Sequence, residues 1–152
     1  MKKMVIMAGI SGAGKSTVAK KLYDGWKTID CDELKKQCKG YDVKNASAVH
    51  EESKRLEKIE LAKAICGDEN FVYDTTATNA ERIVGLIKEA QAFGWFVEIL
   101  YVKVRLATAL KRNAMRERVV PEYIVREKNA VIAQSIEIIS SYADRLTVVN
   151  ND

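Results

Sequence analysis

Proline and histidine each occur once in these 152 residues and cysteine three times, and each scarcity closes off a class of protein. A single proline is incompatible with collagen-like or proline-rich disordered chains. The cysteines (Cys31, Cys38, Cys66) are odd in number and form no C-x-x-C pair. That argues against a disulfide framework and a cysteine zinc site, and points to a reducing cytoplasm. His50 stands beside Glu51 and Glu52 without partners for a triad or metal cluster, so it reads as a solvated helix residue. No apolar run approaches the roughly 20 residues of a membrane helix. Met1 to Ile10 has the outline of a short signal peptide, but it runs into Ser11-Gly12-Ala13-Gly14-Lys15 with no small-x-small cleavage site. It reads as a buried strand.

What is present is ordinary for a globular chain: 47% hydrophobic and 30% charged residues in 17.0 kDa. This length suits one domain over residues 1–152, able to bury roughly 68–70% of its unfolded surface without disulfides. The net charge of +4 says less than its layout. Residues 1–76 hold 13 Lys and 1 Arg, whereas residues 77–152 hold 4 Lys and 7 Arg. From Lys103 to Arg118 six basic residues accompany one acid, Glu117. Guanidinium offers bidentate donors, so a local arginine cluster suits phosphate recognition.

Apolar runs alternate with helical patterns. Strands are expected at residues 4–8, 26–29, 71–73, 95–104 and 146–149. Helices are expected at about 15–23, 32–38, 48–65, 78–93, 107–116 and 122–140, with a loop over 40–46. Thr78-x-x-Glu81 reads as a capping box, and Gly94 as a helix stop. The alternation predicts an α/β chain with a mainly parallel sheet covered on both faces. Ligands of such sheets bind beyond the carboxyl ends of the strands, so the loops after the first three strands should carry the chemistry.

Gly9-Ile10-Ser11-Gly12-Ala13-Gly14-Lys15-Ser16 matches G-x-x-x-x-G-K-[ST] completely, between an apolar strand and a helix as that motif requires. Its glycines permit the tight turn that aims backbone N–H groups at phosphate oxygens, and the helix start adds a positive dipole end. Gly9, Ser11, Gly12, Ala13, Gly14, Lys15, Ser16 and Thr17 are therefore the expected nucleotide-binding residues. Lys15 would reach the terminal phosphates, and the Ser16 hydroxyl would bind Mg²⁺. No N-K-x-D element for reading guanine is present, which favours ATP.

The second strand runs into Asp30-Cys31-Asp32-Glu33. Asp32 could accept a hydroxyl proton during phosphoryl transfer, or serve as a helix N-cap. Lys35, one turn on, could hold a substrate phosphate or pair with Asp32. Asp30-x-Asp32 brushes the aspartyl-phosphatase signature but lacks its following Thr or Val. Asp74-Thr75-Thr76 closes the third strand. Asp74 could orient Mg²⁺ through water, as Asp32 could, and Thr75 could bind substrate; a turn or cap is the alternative. Arg112 and Arg116, four apart, should share a helix face beside a lid at about 112–121, or else pair with Glu117 and Glu122.

These residues resemble the 5′-kinase domain of bacteriophage polynucleotide kinase, within the small P-loop kinases that include zeta toxins. The resemblance spans about residues 3–140. It rests on Gly9–Thr17, Ile29-Asp30-Cys31-Asp32-Glu33, Asp74-Thr75-Thr76 with Asn79-Ala80-Glu81-Arg82, and Gly94-Trp95-x-Val97-Glu98. Its most specific part is Leu110-Lys111-Arg112-Asn113-x-x-Arg116 followed by Val120-Pro121, an order with no generic structural reason. The resemblance implies a nucleoside-monophosphate-kinase-like P-loop fold with a five-stranded parallel sheet in the order 2-3-1-4-5 and a helical lid. It also implies Asp32 as general base, Lys15 as the P-loop lysine, Arg116 as the lid arginine on the transferring phosphoryl group and Arg112 near the nucleotide. Asp74, Thr75 and Arg82 fall on the substrate side. Lys35 stands where polynucleotide kinases carry an arginine, and Asp-Thr-Thr where Asp-Thr-Asn is usual.

The expected activity is ATP- and Mg²⁺-dependent transfer to a hydroxyl, foremost the 5′-OH of DNA or RNA, with a small-molecule acceptor as the alternative. A nucleotide-binding regulator without an acceptor is a third reading, against which Asp32 and the arginine pair argue.

Overall fold

The computed structural model describes residues 1–44 and 49–152. The expected 40–46 loop and the start of the expected 48–65 helix fall partly on residues 45–48, outside the described residues. Along the chain run β1 (Lys3–Ala8), α1 (Lys15–Leu22), β2 (Lys27–Asp30), α2 (Cys31–Lys36), α3 (His50–Cys66) and β3 (Phe71–Thr75). There follow α4 (Ala80–Ala92), β4 (Phe96–Lys103), α5 (Leu106–Ala114), α6 (Glu122–Ser140) and β5 (Arg145–Asn150). The five strands are parallel, in the order β2-β3-β1-β4-β5.

Burial explains the strand patterns. β1 is central and covered on both faces, so Met4 to Ala8 forms an unbroken apolar run with every residue fully buried. β5 is an edge strand and alternates, leaving Leu146 and Val148 exposed. α4 turns Ile83, Leu86, Ile87 and Ala90 inward, the i, i+3, i+4, i+7 stripe of a helix lying on a sheet. Trp95 packs edge-on against Phe71, with ring centroids 5.0 Å apart, and donates Nε1–H to the Ile65 carbonyl at 2.9 Å.

Local details correct three expectations and give a fourth stretch its structural role. The N-cap of α4 is Asn79, whose side chain accepts from the Arg82 N–H at 3.3 Å, so the Thr78 capping box does not form. α5 ends at Ala114, two residues before Arg116. Arg112 and Arg116 therefore do not share a helix face. The Trp95-x-Val97-Glu98 stretch is structural: Glu98 is buried, pairs with Lys3 at 2.8 Å and accepts from the Thr147 hydroxyl at 2.7 Å, joining β1, β4 and β5. Asn113 and Val120 also have a structural reason. The buried Asn113 amide donates to the Val120 carbonyl at 2.7 Å and accepts from its N–H at 3.2 Å, closing the base of the arginine-bearing loop between them.

The parallel register brings the chemistry to one edge. Asp30 lies opposite Asp74, and Ala8, just before the glycine-rich loop, lies opposite Thr75. Beyond this edge opens a cavity of about 650 Å³.

Candidate active site

One wall of the cavity is the loop between β1 and α1. Gly12 and Gly14 have φ of +89° and +90°, a left-handed conformation that only glycine adopts without strain. Gly12 also lies so close to α5 that a Cβ there would sit 2.2 Å from the Ala109 carbonyl oxygen. Ser11, Gly12, Gly14, Lys15, Ser16 and Thr17 line the cavity, and Gly14 caps α1. Ala13 is buried and Gly9 supplies a carbonyl behind the loop. Lys15 folds back on its own loop, donating to the Gly9 carbonyl at 2.8 Å and lying 3.9 Å from Asp74.

The opposite wall begins at the end of β2. Asp30 is the N-cap of α2 and accepts from the Asp32 N–H at 2.9 Å. Asp32 is therefore not the cap, and its carboxylate is free to face the cavity. Two arginines of the loop after α5 hold it: Arg118 Nη1 at 2.9 Å and Arg116 Nη2 at 3.5 Å. Arg118, the nearer, has no assigned role in the sequence reading; its place in the 103–118 basic cluster and beside the expected lid is the signal that points to it. Arg112 turns elsewhere and donates to the Ala13 carbonyl of the phosphate loop at 3.3 Å.

Between the walls, Asp30 and Asp74 sit side by side. Burial, with the neighbouring Asp74 charge, pushes the Asp30 carboxyl up to about 6. Burial likewise raises Asp74, against the opposing pull of Lys15. Thr75 and Thr76 line the cavity next to them.

The deep end was largely illegible in the sequence. Lys35 is buried, and no acidic partner pairs with it among the described residues. Burial, then the Arg118 charge, lowers its pKa. Lys54, His50, Tyr41 and Val43 complete this end. His50 is thus a cavity residue, although exposed, and burial with the Lys35 charge lowers its pKa. Glu57, also buried, accepts from the Tyr73 hydroxyl at 3.0 Å and lies 3.7 Å from both Lys54 and Arg82. Nothing in the Glu- and Lys-rich sequence of α3 distinguishes Glu57 from its neighbours. Arg82 does not line the cavity. It braces the wall from behind, donating to the Tyr73 hydroxyl at 2.8 Å.

The arrangement offers a nest of N–H donors, the loop lysine Lys15, a carboxylate under two arginines and the Lys35 ammonium, without an acidic partner among the described residues, around one chamber. These are the parts that move a phosphoryl group between oxygens by positioning and charge.

Comparison with known proteins bears on the fold that carries this site. The family described as AAA domain matches residues 4–137. No curated protein matches the sequence. Among solved structures, the AvrRxo1-ORF1:AvrRxo1-ORF2 complex aligns at a TM-score of 0.78 and 17% identity, covering 98% of this chain and 55% of that one. A structure of the same pair with ATP gives 0.68 at 18% identity, over 93% and 48%. The PezAT toxin–antitoxin system of Streptococcus pneumoniae gives 0.73 at 15% identity, over 100% and 68%. Shikimate kinase from Acinetobacter baumannii, in complex with shikimate, gives 0.62 at 16% identity, over 100% and 86%. This chain spans about half the length of the first of these. At such identities the likeness is one of fold, and that fold is the P-loop kinase fold.

Proposed function

The chain belongs to the AAA domain family matched over residues 4–137, and from that premise we propose that it is an ATP-dependent phosphotransferase acting on a hydroxyl. The observation that carries this reading is the Asp32 carboxylate, held by Arg118 and Arg116 across one cavity from the phosphate loop. ATP is the donor substrate, its phosphates cradled by the loop N–H groups. The acceptor oxygen attacks the γ-phosphorus, the bond to the β–γ bridging oxygen breaks, and ADP leaves. The hydroxyl proton passes to Asp32. Lys15 leaves the Gly9 carbonyl for the phosphates, and Arg116 moves from Asp32 onto the transferring group.

The residues present also fit a divalent cation. The Ser16 hydroxyl and the crowded Asp30 and Asp74 carboxyls line one chamber, where burial first, and the charge of a neighbouring carboxylate after it, raises the pKa of both acids, a repulsion that a cation would offset. Ser16 would hold Mg²⁺, with Asp74 or Asp32 acting through water. Mg²⁺ bound there would neutralise the phosphate charge.

Lys35, Lys54 and Arg118 make the deep end cationic, which suits an acceptor whose hydroxyl neighbours an anionic group. The 5′-OH end of DNA or RNA has this chemistry, and the polynucleotide-kinase-like order of Asp32, Arg112 and Arg116 supports it. A second reading, a small anionic alcohol, is favoured by the cavity's volume of about 650 Å³, to whose lining Tyr41, Val43 and His50 contribute. Three unpaired cysteines support a reducing cytoplasm as the setting. No helix among the described residues is long and apolar enough to cross a membrane.

Incubation with γ-labelled ATP, Mg²⁺ and short 5′-hydroxyl DNA and RNA, beside a panel of phosphorylated and carboxylated alcohols, tests the proposal. Label on the oligonucleotide end that is lost in Asp32→Asn supports the first reading. Label on a small alcohol alone selects the second. Tight ATP binding with transfer to nothing would sink both.

A further inference from the structure

The phosphate loop is held from behind by a residue that no motif announces. Asn151 follows β5. Its backbone N–H donates to the Lys103 carbonyl at 2.8 Å, continuing the β4–β5 ladder by one rung. Its side-chain Nδ2 donates to the carbonyl of Ala13 at 2.8 Å, 138 residues away, beside the 3.3 Å bond from Arg112 to the same oxygen. The amide fills the space a side chain at Gly14 would need: a Cβ there would lie 2.5 Å from Asn151 Nδ2. Asp152, next along, accepts from the Arg105 N–H at the start of α5 at 2.8 Å. The segment after β5 thus ties the phosphate loop to the helix that leads into the arginine-bearing loop.

A trans peptide points its C=O and N–H in opposite directions. Anchoring the Ala13 carbonyl away from the cavity therefore aims the Gly14 N–H of the same peptide into it. We infer that Asn151 is a positioning residue for phosphate binding, orienting the Ala13–Gly14 peptide so that the nest is formed before the nucleotide arrives. Preorganised donors bind better than donors that must be turned at the moment of binding. Acting through the loop peptide, Asn151 should affect ATP and a polyphosphate that lacks a base alike.

The inference rests on the nucleotide reading of the site, so its test measures binding directly. Isothermal titration with ATP and, separately, with inorganic tripolyphosphate, both with Mg²⁺, compares wild type, Asn151→Ala and the isosteric Asn151→Asp, which keeps the size but removes the donor. One neutral hydrogen bond corresponds to about a two- to tenfold change in affinity. Asn151→Ala should weaken both ligands by about that factor. Asn151→Asp should weaken both by about tenfold or more, because its carboxylate faces the Ala13 carbonyl oxygen. Ligand-free melting temperatures should fall by about 2–4 °C, the loss of one hydrogen bond in a chain of this size, so both variants stay folded at 25 °C and the affinity loss reports the loop itself. Unchanged affinity in both variants overturns the inference while leaving the nucleotide reading intact. Loss for ATP but not tripolyphosphate also overturns it, assigning Asn151 to the base instead. Failure of the wild type to bind either ligand removes the nucleotide reading and the inference together.

Discussion

The two walls of the cavity are built on different principles. The phosphate-loop wall is eight consecutive residues whose chemistry is mostly backbone: N–H groups aimed by Gly12 and Gly14, with one lysine. The acceptor wall draws side chains from the end of β2, from α2 and α3, and from the loop after α5, up to 86 residues apart for the Asp32–Arg118 pair. A site made of backbone needs particular residues only where the turn demands them, and so it leaves a contiguous signature. A site made of side chains on separate elements needs only that each arrive at the same place. On the proposed reading, the first wall sets what is bound and the second what is done with it.

Substitutions that separate the walls sharpen that contrast. The largest effect is expected at Asp32. Replacement by Asn should lower kcat by roughly 10²–10⁴ while ATP affinity, measured by titration, stays near wild type. Retained turnover would show that the acceptor wall supplies no base. Arg116→Ala should reduce kcat by about 10³ if it reaches the transferring phosphoryl group as arginine fingers do. Arg118→Ala should do less, because Arg118 chiefly holds Asp32. Equal losses in the two would mean that both arginines share one role.

Lys35→Ala should raise the acceptor KM by about tenfold with ATP KM unchanged, since a buried charged hydrogen bond contributes about 1.5–3 kcal/mol. If the acceptor is a nucleic acid, its binding should also weaken steeply with added salt. A Lys35 variant that changes ATP KM instead would merge the two walls.

A stability effect follows from Asp30. Its folded pKa of about 6 lies above the ordinary carboxylate value, so the native state holds this proton more tightly than the unfolded chain does. Stability is therefore fully present below about pH 4 and lost as pH rises through 6, by an amount on the order of 3 kcal/mol at most. Asp30→Asn keeps a cap of equal quality and removes the ionisation. In denaturant unfolding without divalent cations, it should be more stable than wild type at pH 8 and equal to it at pH 4. No gain at pH 8 would mean that Lys15 already neutralises the Asp30–Asp74 pair. The smallest effect is expected behind the acceptor wall. Tyr73→Phe removes the hydroxyl that joins Glu57 to Arg82 and should lower stability by about 1–2 kcal/mol in the same assay, with ATP affinity unaffected.

The elements themselves were legible because their signals are short-ranged. Apolar runs mark the central strands, and a three-to-four spacing marks α4 and α6. Boundaries drifted by one or two residues where a competing local bond intervened, as at Asn79, which takes the cap expected of Thr78. The misreading of Arg112 and Arg116 as one helical pair had a similar origin. Their spacing is helical, but α5 stops at Ala114 and the Asn113–Val120 bonds redirect the chain. Asp74 and Thr75 were legible as cavity residues because they end a strand, and Lys35 because it lies one helical turn beyond one. Arg118, Glu57 and Asn151 were missed because their roles depend on partners distant in sequence.

By itself, then, the order of residues determined the parallel α/β layering, the phosphate loop and the strand ends at which chemistry gathers. Each of these follows from periodicity or from a turn whose backbone only glycine can make. The tertiary structure alone decided that Asp30 and not Asp32 caps α2, and that Arg118 and Arg116 close on the freed carboxylate. It also put Lys35 in the cavity with no ion pair among the described residues, and seated Asn151 behind Gly14. Those outcomes depend on distances between elements, which are set when the sheet twists and the helices pack, and no local pattern of residues encodes them.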